Sequence, residues 1–456
     1  MRDIKEFQIL DINAVHFGID LFDLMLEAGN RLGDYILKEH NNTDLFIFVC
    51  GKGNNAGDGF VAASKLHKRG ENVIVIRAEK NLKNLSSEAL KLYEGIFEEL
   101  DFLDNVKDKS VLVIDCLFGS GIKGKPRDPY DILISKINKF TNILSVDVPS
   151  GFMTGTSVLP SQTVTFHDTK IGMNENNCGK IVKIDIGIKA QIDEKCGPGE
   201  LLLFPKLVSG RHKGENGKVA IVGGGEFAGA PSFAGLASYR VGVDLVHLFV
   251  PSVSYPQVSS FAPELLVHEI NSNVITSDII PQLKSYNFDC VVVGPGMGKS
   301  KHSLNAVQEI INNFNNVVID ADAIGSYDLN GNNILFTPHA GELKRLGLKP
   351  NRESLISYAN SNNVTILLKG EIDMISNGFF YKENFTGHPR MAVGGTGDML
   401  AGMCGGLIAR GLLPFEAARL STYVIGLAGE KCFRDNGPGF LPSDLGLSIS
   451  QILGEI

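Results

Sequence analysis

The chain has 456 residues, 43% hydrophobic and 21% charged, with 51 acidic against 43 basic side chains and a net charge of -8. That composition supplies packed cores and excludes a disordered chain, and its acidic balance disfavours nucleic acid or an anionic membrane as a partner. No opening segment has the form of a signal peptide, no apolar run is long enough to span a bilayer, and the 7 scattered cysteines lack a CxxC pair, so they read as reduced thiols of a cytoplasmic protein.

At this length two domains are expected. Leu21, Leu24, Met25, Ala28, Leu32 and Ile36 recur at helical spacing and predict an amphipathic helix. Residues 46–50 then read as a buried strand, 59–68 as a helix, 73–77 as a strand and 86–98 as a helix. Strands follow at 111–117, 143–148, 163–166 and 181–186. Runs of Val, Ile and Leu without polar alternation belong to a parallel sheet covered on both faces. Between residues 187 and 212 the regularity lapses into Gly and Pro, which places a domain boundary near residue 205. The expected domains are therefore 1–205 and 206–456. In the second, strands are predicted at 219–222, 245–250, 291–293, 317–319, 334–336 and 366–368. Helices are predicted at 231–240, 303–313, 353–360, 399–410, 415–426 and 444–453. No internal repeat relates the halves, so they are different α/β folds.

The first domain carries three motifs at strand ends. GKGNNAGDG (51–59) follows a strand and precedes a helix, where open parallel sheets bind ligands. Asn54 and Asn55 fill its middle, which separates it from the dinucleotide pattern GxGxxG and supplies amide oxygens and N–H donors. DCLFGSGIKGK (115–125) puts Asp115 before a glycine-rich loop with two lysines, and SVDVPSG (145–151) adds Asp147 and Ser150. Each carboxylate alone reads equally well as a cap or turn. Together Asn55, Asp115, Asp147 and Ser150 converge on one crevice, and their hard oxygens suit an alkali or alkaline-earth ion rather than zinc.

In this order and spacing, GxGNNxGDG, DxLFGxG and VDxPSG resemble the NAD(P)H-hydrate epimerase family over about residues 1–205, a Rossmann-like doubly wound fold. The resemblance implies potassium on Asn55, Asp115 and Ser150. It implies the hydrated nicotinamide ligand on Asn54, Asn55, Ala56, Gly57 and Asp58, on Gly119, Ser120, Gly121, Ile122, Lys123, Gly124 and Lys125, and on Asp147, the expected proton donor or acceptor. Ala56 departs from the glycine usual there and slightly stiffens the loop.

The second domain offers HKGENGKVAIVGGG (212–225), GPGMG (294–298), DADAI (320–324), TPHAGE (337–342), LLKGEID (367–373) and GGTGD (394–398). Backbone amides of GGTGD form an anion hole with Asp398 beside it, and Lys369 stands at a strand end, a set suited to phosphoryl transfer. Singly, His339 reads as a core histidine and Glu342 as a helix cap. The ordered set resembles the ADP/ATP-dependent NAD(P)H-hydrate dehydratase family, of ribokinase-like fold, over about residues 206–456. The resemblance implies hydrate contacts at Ala230, Gly296, His339 and Asp398, with Asp398 as general base. It implies ADP or ATP on Lys369, Gly370, Glu371, Ile372, Asp373 and Gly397. Glu342 is expected to position magnesium through water.

Both halves lead to one expectation. The chain repairs NADH and NADPH hydrates, epimerising R and S forms and dehydrating the S form with ADP or ATP, and it self-associates as such folds often do. The competing reading is a ribokinase-like small-molecule kinase preceded by a non-catalytic binding module.

Overall fold

The computed structural model describes residues 1–107, 110–121, 124–329, 331 and 333–456. It divides into two compact units, Met1–Asp193 and Glu194–Ile456.

In the first unit a seven-stranded sheet comprises β1 (Leu45–Cys50), β2 (Val73–Arg77), β3 (Ile96–Glu98), β4 (Val111–Cys116), β5 (Ile143–Val146), β6 (Gln162–Phe166) and β7 (Lys180–Ile184). Its order is β3-β2-β1-β4-β5-β6-β7, and every pairing is parallel. The order reverses between β1 and β4, which opens a crevice at their carboxyl ends. Phe46, Ile47, Phe48 and Val49 of β1 are all buried, as a strand covered on both faces requires. Helices Leu21–Glu39 and Asn54–Lys68 lie together on one face, with Met25, Leu32, Phe60 and Leu66 in their shared core.

Three sequence expectations change here. The helix after β1 starts at Asn54, not residue 59, so the NNAGD stretch forms its first turns instead of a loop. The helix expected over 86–98 ends at Leu90, and Ile96–Glu98 is the edge strand β3. Tyr93 fixes this break by donating its hydroxyl to Val73 O at 2.9 Å and to Ile96 O at 3.1 Å. A helix absent from the sequence reading, Ile4–His16, is capped by Asp3 and buries Ile9, Leu10, Asn13 and Ala14.

The second unit holds β8 (Lys218–Val222), β9 (Leu245–Pro251), β10 (Leu266–Ile270), β11 (Cys290–Val293), β12 (Asn316–Ile319), β13 (Asn333–Phe336), β14 (Thr365–Leu368), β15 (Asp373–Ser376) and β16 (Tyr381–Asn384). Their order is β10-β9-β8-β11-β12-β13-β14-β15-β16, parallel as far as β14 and antiparallel beyond it. The sequence reading lacked β10, β15 and β16, whose mixed polar composition conceals them. Helices Gly229–Arg240 and Thr396–Ala409 pack closely on this sheet. A β-carbon at Gly402 would stand 2.0 Å from Ala234 O, and one at Gly405 would stand 2.2 Å from Val292 Cγ2. The small residues of GDMLAGMCGG thus let helix Thr396–Ala409 lie close against both neighbours.

Residues 194–205, expected in the first domain, pack with the second unit. Glu383 N–H donates to Glu194 O at 2.6 Å and Cys196 N–H donates to Glu383 O at 2.8 Å, extending the sheet past β16. Glu200, fully buried, stands 3.8 Å from both Lys382 Nζ and Arg419 Nε. All 7 cysteines are free and buried, and among the described residues no helix is long and apolar enough to cross a membrane.

Candidate active sites

The crevice between β1 and β4 opens into a cavity of about 560 Å³. Asn54, Asn55 and Asp58 reach it from the first turns of helix Asn54–Lys68, while Gly119, Ser120, Gly121 and Asp147 enter from the loops after β4 and β5. Ala56 and Gly57 turn the other way: Ala56 is buried in the core, and a β-carbon at Gly57 would lie 2.3 Å from Met25 Sδ. Helical periodicity separates the two sets, since positions one turn apart share a face. Gly124 and Lys125 border a neighbouring cavity of about 360 Å³ that shares Gly119 and Ser120. Ile122 and Lys123 lie outside the described residues.

Asp115, at the end of β4, is fully buried and accepts four hydrogen bonds: Ser145 Oγ at 2.8 Å, Ser150 N–H at 2.9 Å, Ser150 Oγ at 2.5 Å and Leu117 N–H at 3.3 Å. Burial pushes its carboxyl above the usual range, against the pull of these donors. Four donors fill the acceptor capacity of a carboxylate. Asn55 is the opposite case. Its amide nitrogen and oxygen are buried with no hydrogen-bond partner among the described residues. An unsatisfied buried amide costs roughly 1–3 kcal/mol, so this group awaits a partner.

Asp147 occupies the left-handed region at φ 67, unusual for a non-glycine residue and typical of functional turns. Its Oδ1 pairs with Lys170 Nζ. Lys170, 1% exposed, also donates to Thr165 Oγ1 at 2.8 Å and sits 4.3 Å from the Phe7 ring centre. The sequence reading missed this lysine, although it follows β6 as the other site residues follow β1, β4 and β5. Asp58, half-buried on the same cavity, is raised well above the carboxylate range by desolvation and by the charges of Asp147 and Asp11.

In the second unit the carboxyl ends of β12, β13 and β14 bring Asp320, His339 and Lys369 to one edge. Lys369 Nζ donates to Asp320 Oδ1 at 2.7 Å, and Thr337 Oγ1 donates to the same oxygen at 2.7 Å. Asp320 is 1% exposed, and the DADAI motif alone assigns it no role. His339 caps helix Ala340–Leu343, its Nδ1 accepting from Gly341 N–H at 2.9 Å and Glu342 N–H at 3.2 Å. Glu342 returns the bond, accepting from His339 N–H at 3.0 Å, with His339 Nε2 at 3.3 Å from its other oxygen. The cap that sequence allowed for Glu342 is thus formed.

Gly395, at φ 107, starts helix Thr396–Ala409 and puts Asp398 in the first turn. A β-carbon at Gly397 would lie 3.3 Å from Lys369 Nζ, so the lysine faces the GGTGD amides. Desolvation, and then the charge of Asp320, raise Asp398 to about 7, with Lys369 opposing. Asp373 is raised to about 6 by desolvation and accepts from Gly370 N–H and Asn384 Nδ2, each at 3.1 Å. Glu371 and Ile372 form the exposed turn between them. Gly296, at φ 64, lies against the other side: its β-carbon would meet Phe227 O at 2.4 Å and Ala230 Cβ at 3.3 Å. Ala230 and Gly296 are therefore neighbours, and a β-carbon at Gly294 would come within 1.8 Å of Asp320 O.

Two parallel-sheet units, each collecting carboxylates and a lysine at its strand ends, define a two-site α/β enzyme. The YjeF-related protein N-terminus model matches residues 21–172, and the NAD(P)H-hydrate dehydratase model matches residues 219–451. The bifunctional NAD(P)H-hydrate repair enzyme Nnr of Archaeoglobus fulgidus is 32% identical across 98% of this chain and 97% of its own. Its counterpart in Methanothermobacter thermautotrophicus is 34% identical across 97% and 93%. A Bacillus subtilis ADP/ATP-dependent NAD(P)H-hydrate dehydratase, co-crystallised with ATP/Mg²⁺, shares the fold at 22% identity and a TM-score of 0.50, covering 56% of this chain and 96% of that one. The chain belongs to the family of bifunctional NAD(P)H-hydrate repair enzymes, with a YjeF-related N-terminal domain followed by an NAD(P)H-hydrate dehydratase domain.

Proposed function

We propose that the first domain interconverts the R and S hydrates of NADH and NADPH and that the second converts the S hydrate back to NAD(P)H with ADP or ATP. The observation that carries this reading is the near full-length match to repair enzymes by a chain whose two sites keep their carboxylates and lysines together.

In the second domain Asp398 takes the proton of the hydrate's hydroxyl as that oxygen receives a phosphoryl group, a role suited to a carboxyl raised to about 7. Loss of phosphate, a far better leaving group than hydroxide, together with a proton from the neighbouring ring carbon, then restores the ring double bond of the dihydronicotinamide. Lys369 and the amides of 394–397 hold the nucleotide phosphates, and Asp320 keeps the lysine aimed. Gly370, Glu371, Ile372 and Asp373 border the nucleotide, while Ala230, Gly296 and His339 contact the hydrate. Magnesium, held through water by Glu342, would neutralise phosphate charge.

In the first domain the free Asn55 oxygen fits a hard cation, so potassium is assigned to Asn55 and Ser150, with Asp115 supplying charge through Ser150. The ion would organise the loop that faces the ligand, leaving Asp147 to exchange protons with the hydrate. Self-association and a cytosolic location complete the reading. Purified protein given mixed NADH hydrates with ADP or ATP should recover NADH absorbance from both epimers. Recovery from neither would overturn the proposal.

A further inference from the structure

Helix Ile4–His16 lies outside the matched residues 21–172, yet Phe7, Gln8, Leu10 and Asp11 line the first cavity. The segment leading into it is fastened to the site. Arg2 bridges Lys170 in parallel fashion, its N–H donating to Thr169 O at 2.9 Å and its carbonyl accepting from Ile171 N–H at 2.9 Å. The Arg2 guanidinium grips Asp193 with both terminal nitrogens at 2.6 Å. The helix that presents Asp11 is thus tied to the strand end that presents Lys170. Asp11 enters the cavity from one wall, Asp58 from helix Asn54–Lys68, Asp147 from the loop after β5 and Lys170 from beyond β6.

We propose that Asp11 is the second acid–base group of the first site, working with Asp147 on the hydroxylated carbon of the hydrated nicotinamide ring; this rests on the epimerase reading above. Inversion at that carbon needs one group to take a proton while another gives one. Asp147 accepts the hydroxyl proton, the C=O bond forms, and the ring C–N bond breaks with its electron pair going to nitrogen, which takes a proton from Asp11. On closing at the opposite face, nitrogen returns that proton to Asp11 and re-forms the C–N bond, and the carbonyl oxygen recovers a proton from Asp147. Nothing is gained or lost over the cycle, and no co-reactant is required.

The surroundings suit Asp11 to this work. Protein packed around it, and next the Asp147 charge, lift its carboxyl to about 6, with Lys170 opposing, so it holds a proton in useful amount near neutrality. Lys52, Lys83 and His167 are the other charged or titratable groups lining the cavity.

The test uses the full chain and both purified epimers. Asp11→Asn should lower kcat for R-hydrate conversion at least ~10-fold while KM stays within about threefold, as loss of an acid–base group predicts. Dehydration of the S hydrate should be unchanged, which reports a folded second domain, while the retained KM reports an intact first site. Asp11→Ala should recover rate when formate is added, an addition without effect on the parent. Parent-like conversion by Asp11→Asn overturns the proposal, and so does a loss in Asp11→Ala that appears in KM and resists formate. A parent protein that never converts the R hydrate refutes the underlying epimerase reading instead, and the two failures are separable.

Discussion

The two sites begin from the same parts and pair them differently. In the first, the lysine grips the carboxylate assigned to proton transfer: Lys170 Nζ is bound to Asp147 Oδ1. In the second, Lys369 is bound to Asp320 at 2.7 Å, and Asp398 is left without that partner. The consequence appears in Asp398, raised to about 7 because burial and the Asp320 charge outweigh the lysine. That elevation makes Asp398 a stronger base than an ordinary carboxylate near 4. Under the proposed reading, pairing the lysine with Asp320 keeps the cation for phosphate and leaves Asp398 free as the base. Partner choice, more than residue type, distinguishes the two sites.

The largest effects should come from the carboxylates themselves. Asp398→Asn should lower dehydration by at least ~10²-fold and leave epimerisation intact. Asp147→Asn should do the reverse, so that with mixed hydrates NADH recovery stops once the initial S portion is consumed. Loss of both activities in either variant would break the comparison, because it would make the sites one unit.

Asp320→Asn sharpens it. In the parent, dehydration should rise as pH passes upward through about 7, where Asp398 ionises. Removing the Asp320 charge removes a cause of that elevation and frees Lys369 to oppose it, so the midpoint of the rate profile should move to lower pH. Breaking a buried pair also costs about 3–5 kcal/mol, read as an earlier melt of the second domain. An unmoved profile would mean that desolvation alone sets the base.

A smaller effect belongs to the second domain alone. His247 is pushed down to about 4 by burial and by His268, whose Nε2 lies 2.8 Å from its Nδ1. The folded imidazole therefore stays neutral while the unfolded one takes a proton near 6.5, and stability should decline as pH falls from about 6.5 towards 4. Melting curves of the parent and of His247→Phe should diverge over that window, with the variant less acid-sensitive. Smallest is Glu342→Gln. It should cost roughly 1 kcal/mol as a weakened cap, and an unchanged magnesium dependence would leave capping as the residue's whole role.

Strand ends were legible because each follows an uninterrupted apolar run, and the motif residues sit at those ends by the logic of parallel sheets. Helix Ile4–His16 was not, since it places Asn13 in the core and Asp11 in a cavity, which blurs its apolar stripe. The hairpin of β15 and β16 hides for a similar reason: Asp373 and Asn384 are strand residues that bond each other across the hairpin, and Lys382 reaches Lys195 O far back in the chain. Pairing was the least readable feature. Nothing in the sequence around Lys369 says that Asp320 will hold it, and a single Lys170 after a short strand carries no pattern until the fold sets it beside Asp147.

The anchoring of Glu200 bears on how the molecule is made. Its partner Arg419 lies 219 residues further along the chain (419 − 200), so during synthesis the segment around Glu200 emerges with no site to occupy. Domains fold largely as units as they leave the ribosome. The first can close at Asp193, whereas the stretch immediately after it must wait through nearly the whole of the second before its charge is buried. The seam between the two activities is thus among the last parts of the chain to find its place.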